Sequence, residues 1–573
     1  MARRALLILI MLSALYPIPI EIGKRPRVIV RDFYHINVTL DKNGYINATL
    51  TLTYYNYIKD GLREIYFHIY PNSLYFRERG GEFKLLWVES EGIKLNYEIK
   101  GRDGSALEVK LPYPLPYGDR INISLGFIEK LPKMRDRYGM WKGIYALGNW
   151  YPIRAKLIGG YWDTRPYANI GEPFYSDVAI YEVNIKVPEG FLVGATGRLI
   201  SVKRIGKWLM YSWLAENVRD FVWVASPYYL RLTKDVTVGG RKITLYCYCL
   251  PEHKEGGLRA LRAADRALEL FSKLIGEYLY PSFTICEVHA WFGGMEYPSL
   301  IMIASSLLKS KGKGLEIAIA HEVAHQWWGM MIGNDQGGEP WMDEAFAQYL
   351  TVIYFEKYYS KESKEVLDEL IRIPYYNFIK SRPKADDRPY RSVWYFDSDV
   401  EYYIATVYDK GALVLRLLRA LVGDEKFFTI LRKVYEEYSL SIIKVRDFIN
   451  LASEVSGTNL TGFFKDWLLS PGTASFSITN LSISTFKHKY LMKGDLIEVK
   501  GNKTFPLPVT LTFSSPRGEV RITVPFHYPL TPFKAELPFK PIKIIVDDDD
   551  LIPGKDGIYT YPGPLTKLAS TVN

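Results

Sequence analysis

The apolar residues of this chain change period twice, and the two changes divide it. From about Val28 to Cys247 apolar and polar residues alternate, as in "YINATLTLTYYNY", "EIYFHIY" and "AIYEVNIKVP", with turn-forming "DKNG", "RDGS" and "KVPEG" between such runs. After "LPEHKEGG" the spacing becomes helical, in "LRALRAADRALELFSKLIGEYL". Two short apolar strands follow, "SFTICEVHAW" and "SLIMIAS", with "FGGMEYP" between them, and helical patterns then run to "FFKDWLLS". Past Pro471 and Gly472 the period is two again, in "ASFSITNLSIS", "LPVTLTFSS", "GEVRITVPF" and "PIKIIVD". A chain of 573 residues is too long for one core. The expected fold class is therefore multidomain α+β. An N-terminal antiparallel β domain is expected over 27–246, a mostly helical domain over 247–471, a C-terminal β-sandwich over 472–551 and a tail over 552–573.

The helical third holds the chemistry. "GLEIAIAHEVAHQWWG" has helical spacing, and His321 and His325 are four apart, so on a helix they project from one face. Two imidazoles so placed suit one metal ion, and zinc takes nitrogen ligands without redox chemistry. Glu322 sits beside the first histidine, within reach of the attacking water. H-E-x-x-H on a helix is a metalloprotease signature. A catalytic zinc usually has three protein ligands and one open position. Glu344 is the candidate third ligand, just inside the helical pattern "EPWMDEAFAQYLTVIYFEKYY", with Pro340 suited to its first turn. Asp343 would point about a quarter turn away.

Other features bear on compartment and partners. Net charge is +10, but Lys and Arg are spread along the chain without a basic run, a finger or a stacking motif, so no nucleic-acid partner is expected. "MARRALLILIMLSALYPIPI" has a basic start and an apolar stretch too short for a comfortable span, ended by prolines. Residues 1–26 are read as a signal peptide or an N-terminal anchor, giving an exported or membrane-anchored protein with any membrane association through that end only. Six N-x-S/T sequons, at Asn37, Asn47, Asn122, Asn459, Asn480 and Asn502, agree with export. The three cysteines, Cys247, Cys249 and Cys286, imply neither a disulfide framework nor a Cys-rich metal site.

Together the motifs resemble the aminopeptidase N family of zinc metallopeptidases, which includes leukotriene hydrolase. The chain has that family's H-E-x-x-H, eighteen residues, then E. "GGMEY", Gly293 to Tyr297, stands where the family has G-x-M-E-N, and "TVYDKGA" puts Tyr408 in a Y-x-K-G-A context. "NVRDFVWVAS" and "HQWWG" are also similar. The resemblance implies a thermolysin-like catalytic domain, one zinc per chain on His321, His325 and Glu344, and peptide substrates. It implies Glu322 as general base and Tyr408 as oxyanion donor, with Tyr403 a second candidate. It implies that Glu296 binds the substrate's α-amine, while Gly293 and Gly294 let the substrate backbone approach the strand edge. The implied activity is hydrolysis of the N-terminal peptide bond. A zinc endopeptidase, an epoxide-type hydrolase and a non-catalytic scaffold are the alternatives. Tyr297 replaces the family's asparagine. The family's Q-x-E segment has no counterpart in the corresponding "YALGNWYPIRAKLIGGYWD", so one amine anchor is expected to be missing.

Overall fold

The computed structural model describes residues 31–560, apart from 59, 487, 488, 502, 548, 549 and 556. Residues 1–26, read above as a signal peptide or an N-terminal anchor, the sequon at Asn502 and the tail beyond residue 560 lie outside the described residues.

The N-terminal part is built on an eight-stranded sheet. Along Tyr45–Tyr55 the residues Ile46, Ala48, Leu50, Leu52 and Tyr54 are buried and their neighbours are not, which is the period of two made physical. Most pairings in this sheet are antiparallel, as expected, but Phe33–Leu40 runs parallel to Ala179–Pro188. A parallel pair needs a long crossover, and the chain between those two strands supplies one.

Strands Leu230–Val238 and Arg241–Cys249 depart from the expected boundary at residue 246. They belong to a five-stranded sheet with Ser282–Val288, Leu300–Ala304 and Gly294–Tyr297, in that spatial order. Alternation identifies a strand but not the sheet it joins. Helix α1 (Lys254–Leu274) connects the parallel strands Arg241–Cys249 and Ser282–Val288. Its buried face includes Ala260, Leu261, Ala264, Leu268 and Phe271. Gly294–Tyr297 is an edge strand: among the described residues only Leu300–Ala304 pairs with it. An open edge next to a cavity can accept an extended peptide.

Two four-stranded sheets form the C-terminal sandwich. Phe476 and Phe526 meet between them with ring centroids 4.9 Å apart. Strands Gly554–Lys555 and Gly557–Thr560 extend the two sheets past residue 551, where a tail was expected. The junction is tied to the helical part by Lys410, fully buried, whose Nζ donates to the carbonyl of Gly472 (3.0 Å) and pairs with Asp387 (3.0 Å).

Candidate active site

Helix α2 (Gly314–Ala324) has no interior proline or glycine and is buried along Leu315, Ile319, Ala320, Val323 and Ala324. His325 is its C-cap and keeps helical dihedrals (φ −60°, ψ −21°), so the one-turn relation to His321 survives the helix end. Helix α3 (Trp341–Tyr358) starts directly after Pro340, which puts Glu344 in its first turn. The rings of Trp328 and Phe346 stack at 3.7 Å, and Trp341 lies 5.7 Å from Phe346. This aromatic clamp fixes α3 against the end of α2 and brings Glu344 to the histidines.

Three ligand atoms converge there. His321 Nε2 and His325 Nε2 are 3.2 Å apart, and Glu344 Oε2 is 3.4 Å from the first and 3.2 Å from the second. His325 Nδ1 lies 3.1 Å from the carbonyl of Trp328. A carbonyl cannot donate, so Nδ1 carries a proton and Nε2 is the nitrogen left to face Glu344 or a metal. The buried Glu344 Oε2 faces the two imidazole nitrogens, which share a proton with it when no metal is bound. One divalent cation would satisfy all three atoms at once. A tetrahedral zinc with bonds of about 2.0–2.1 Å separates its ligand atoms by about 3.3–3.4 Å. The triangle fits zinc in both size and donor chemistry.

Around it lies a cavity of about 470 Å³ lined by all of the expected site residues. Glu322 is buried, and one of its oxygens has no partner. Ligand atoms of Glu322, Glu296 and His325 all lie within 4.8 Å of one another. Burial, then the Glu296 charge, pushes the Glu322 carboxyl well above its usual range. The glycine at 294 makes room for this side chain: a Cβ there would stand 2.2 Å from Glu322 Oε1. At Gly293 a Cβ would meet only Leu307, at an ordinary 3.5 Å.

Glu296 sits on the sheet edge, and a residue the sequence reading missed, Glu172, comes to it from the loop after Tyr161–Trp162. Carboxylate oxygens of Glu172, Glu296 and Glu344 lie within 4.8 Å of one another. Burial pushes the carboxyls of Glu172 and Glu296 up, helped at Glu172 by the Glu296 and Glu344 charges and at Glu296 by the Glu344 charge. Arg137, also buried, donates from Nη2 to Glu172 Oε1 (3.3 Å) and to the carbonyl of Gly171 (3.2 Å). The only local signal for Glu172 is an acidic residue between Gly171 and Pro173, which no periodicity flags.

Tyr408 lies on a π-helical stretch, Ile404–Lys410, that feeds helix α4 (Gly411–Val422). Such stretches widen the turn and re-aim side chains, and they gather at functional sites. The Tyr408 ring stacks on His321, with centroids 5.9 Å apart and planes 5° apart. Burial, then the Glu344 charge, pushes its hydroxyl well above the usual tyrosine range, so it stays a proton donor. Tyr403 lines the same cavity with a buried hydroxyl that has no partner. Tyr297 points elsewhere, its hydroxyl donating to Asn149 Oδ1 at 3.2 Å. Asp343 stays off the metal triangle and takes hydrogen bonds from Asn334 (3.0 Å) and Gln336 (2.9 Å).

Residues 259–467 match the model of the peptidase family M1 domain. The chain is 21% identical over 358 residues to probable aminopeptidase 1 of Sulfurisphaera tokodaii, covering 59% of this chain and 44% of that protein. It is 28% identical over 273 residues to aminopeptidase N of Caulobacter vibrioides, covering 45% and 31%. The chain thus spans less than half the length of these curated relatives. Among solved structures, the M1 zinc metallopeptidase of Deinococcus radiodurans aligns with a TM-score of 0.58 at 17% identity, covering 76% of this chain and 93% of that one. Legionella pneumophila aminopeptidase A, in complex with aspartic acid, aligns at 0.66 and 17%, covering 91% and 59%. These two likenesses concern the fold.

Proposed function

We propose that this chain, which belongs to peptidase family M1 through residues 259–467, is a zinc aminopeptidase that releases the N-terminal residue of peptides. The observation that carries the reading is a metal triangle with three further carboxylates beside it: Glu322 for the water, and Glu172 with Glu296 for an ammonium.

His321 Nε2, His325 Nε2 and Glu344 Oε2 would hold the zinc. When bound, zinc supplies Lewis acidity to the scissile carbonyl and lowers the pKa of the attacking water towards ~7. Glu322 takes the proton of that water and passes it to the leaving nitrogen. Tyr408 donates its hydroxyl to the oxyanion as it forms. Tyr408→Phe is expected to fold, keep zinc and lose about 10²–10³ in kcat, as one oxyanion donor is worth. Tyr403→Phe, measured beside it, should lose much less. The reverse order would transfer the role to Tyr403.

The choice of bond follows from spacing. An α-nitrogen and the carbonyl carbon of its own residue are about 2.5 Å apart. Carboxylate oxygens of Glu172 and Glu296 lie within 4.8 Å of a carboxylate oxygen of Glu344, so an ammonium held by them brings the first peptide bond to the metal site. A peptide with a free N-terminus should be cut and its acetylated copy should not. Glu296→Ala should weaken cleavage of the free peptide with zinc retained, because a buried charge-assisted pair loses ~2–5 kcal/mol when one partner is removed. Equal cleavage of both peptides would favour an endopeptidase. Cleavage of neither would favour an epoxide-type hydrolase or a scaffold.

Export remains part of the proposal. The described sequon residues Asn37, Asn47, Asn122, Asn459 and Asn480 are all exposed, which supports passage through a glycosylating or extracellular route. No helix among the described residues is long and apolar enough to cross a membrane.

A further inference from the structure

We infer that Gln336 is a positioning residue for the α-amine site: its side-chain amide holds Glu296 in place and ties that anchor to helix α3, which carries Glu344. The inference rests on the aminopeptidase reading above. Gln336 is 7% exposed, in the loop between α2 and α3. Its Nε2 donates to Glu296 Oε1 (3.1 Å) and to Asp343 Oδ2 (2.9 Å), which uses both amide protons. The other oxygen of Asp343 accepts from Asn334 Nδ2 (3.0 Å). The loop is itself fixed. Gly338 N–H donates to Asp335 Oδ1 (2.9 Å), and Arg165 grips both oxygens of Asp335 at 2.9 Å.

The residue type matters as much as the geometry. Glu296 and Asp343 lie on different elements and would repel each other as carboxylates. A lysine or arginine at 336 would bridge them, but its charge would cancel the attraction of Glu296 for a substrate ammonium. A neutral side chain with two protons bridges them without adding charge. Glutamine is such a group, and it leaves Glu296 with free lone pairs for the substrate. Because Asp343 precedes Glu344 directly, the bridge fixes the height of the amine anchor relative to the metal ligands. The acidic pair Asp343–Glu344 thus divides its work: Glu344 faces the metal triangle, and Asp343 holds the anchor's brace.

The test is Gln336→Met, which keeps the length and removes both protons. KM for a free-amine peptide should rise roughly ten- to hundredfold with a smaller change in kcat and unchanged zinc content. Calorimetric binding of leucinamide to zinc-loaded protein that carries Glu322→Gln to block turnover should weaken in parallel, which reads the amine site without catalysis. In a Glu296→Ala background the same substitution should have little further effect, because the group it positions is gone. If the Met variant fails to fold, Gln336→Asn keeps the protons on a shorter arm and should give the same pattern in smaller degree. An unchanged KM in a folded variant, or an equal loss with and without Glu296, overturns the inference while the aminopeptidase reading stands. If Glu296→Ala itself leaves KM unchanged, the amine-anchor reading fails and takes this inference with it.

Discussion

Replacing Glu322 by Gln is expected to lower kcat by ~10²–10⁴, the range that general acid–base catalysis supplies, with zinc still bound at one per chain. Glu322 is outside the proposed triangle of His321, His325 and Glu344, so on that assignment the substitution should remove no ligand. Gln has the same shape, which is important because Glu322 packs where Gly294 leaves space and a bulkier group would not fit. An amide cannot take a proton from water near neutral pH. The loss should therefore fall on kcat, with KM nearly unchanged, since Glu322 is not assigned to substrate binding. Parallel metal analysis and kinetics on one preparation decide it. Near-full kcat in a zinc-loaded variant would remove Glu322 from the base role. Loss of zinc together with activity would mean that it is a ligand.

Some of this site was legible in the sequence because it is local. His321 and His325 are one helical turn apart, and a helix is the element their neighbours favour. Glu344 could be read because Pro340 marks where the second helix starts. The Glu296 and Tyr408 assignments needed a family resemblance, since a turn glutamate and one tyrosine among 44 carry no signal of their own. Glu172 was missed for a physical reason. It lies in a loop without period, and its contacts with Arg137, which donates to its carboxylate and to the Gly171 carbonyl, join segments far apart in the sequence. The structure places a further carboxylate beside Glu296 from a segment other than the one compared, and the proposed amine role of Glu172 rests on that placement. The fold shows the same limit. Period two found the strands of Leu230–Cys249, but their partners in the five-stranded sheet depend on contacts made across α1. The π-helical stretch under Tyr408 is likewise invisible to a pattern that assumes 3.6 residues per turn.

Removing one ligand is expected to have the largest effect: His325→Ala should abolish both zinc binding and turnover. The reason lies in the charges left behind. Glu172, Glu296, Glu322 and Glu344 are all buried around one cavity, with Arg137 the one arginine or lysine among the described residues lining it. A divalent ion relieves that repulsion in the folded chain and finds no such arrangement in the unfolded one, so zinc should also stabilise the fold. At a free concentration a thousandfold above Kd the gain is about 4 kcal/mol. The wild-type Tm should rise on adding zinc after chelation, and the His325→Ala protein should show little of that rise. His325 has a second duty, since its Nδ1–H serves the carbonyl of Trp328, so its loss costs some stability unrelated to metal. Glu344→Gln is the cleaner partner experiment: it keeps the volume beside the aromatic clamp and removes the one anionic ligand. Both variants should be inactive and zinc-poor, with Glu344→Gln the better folded. Full zinc content in either variant, or an active wild-type protein that contains no zinc, would remove this triangle from the mechanism.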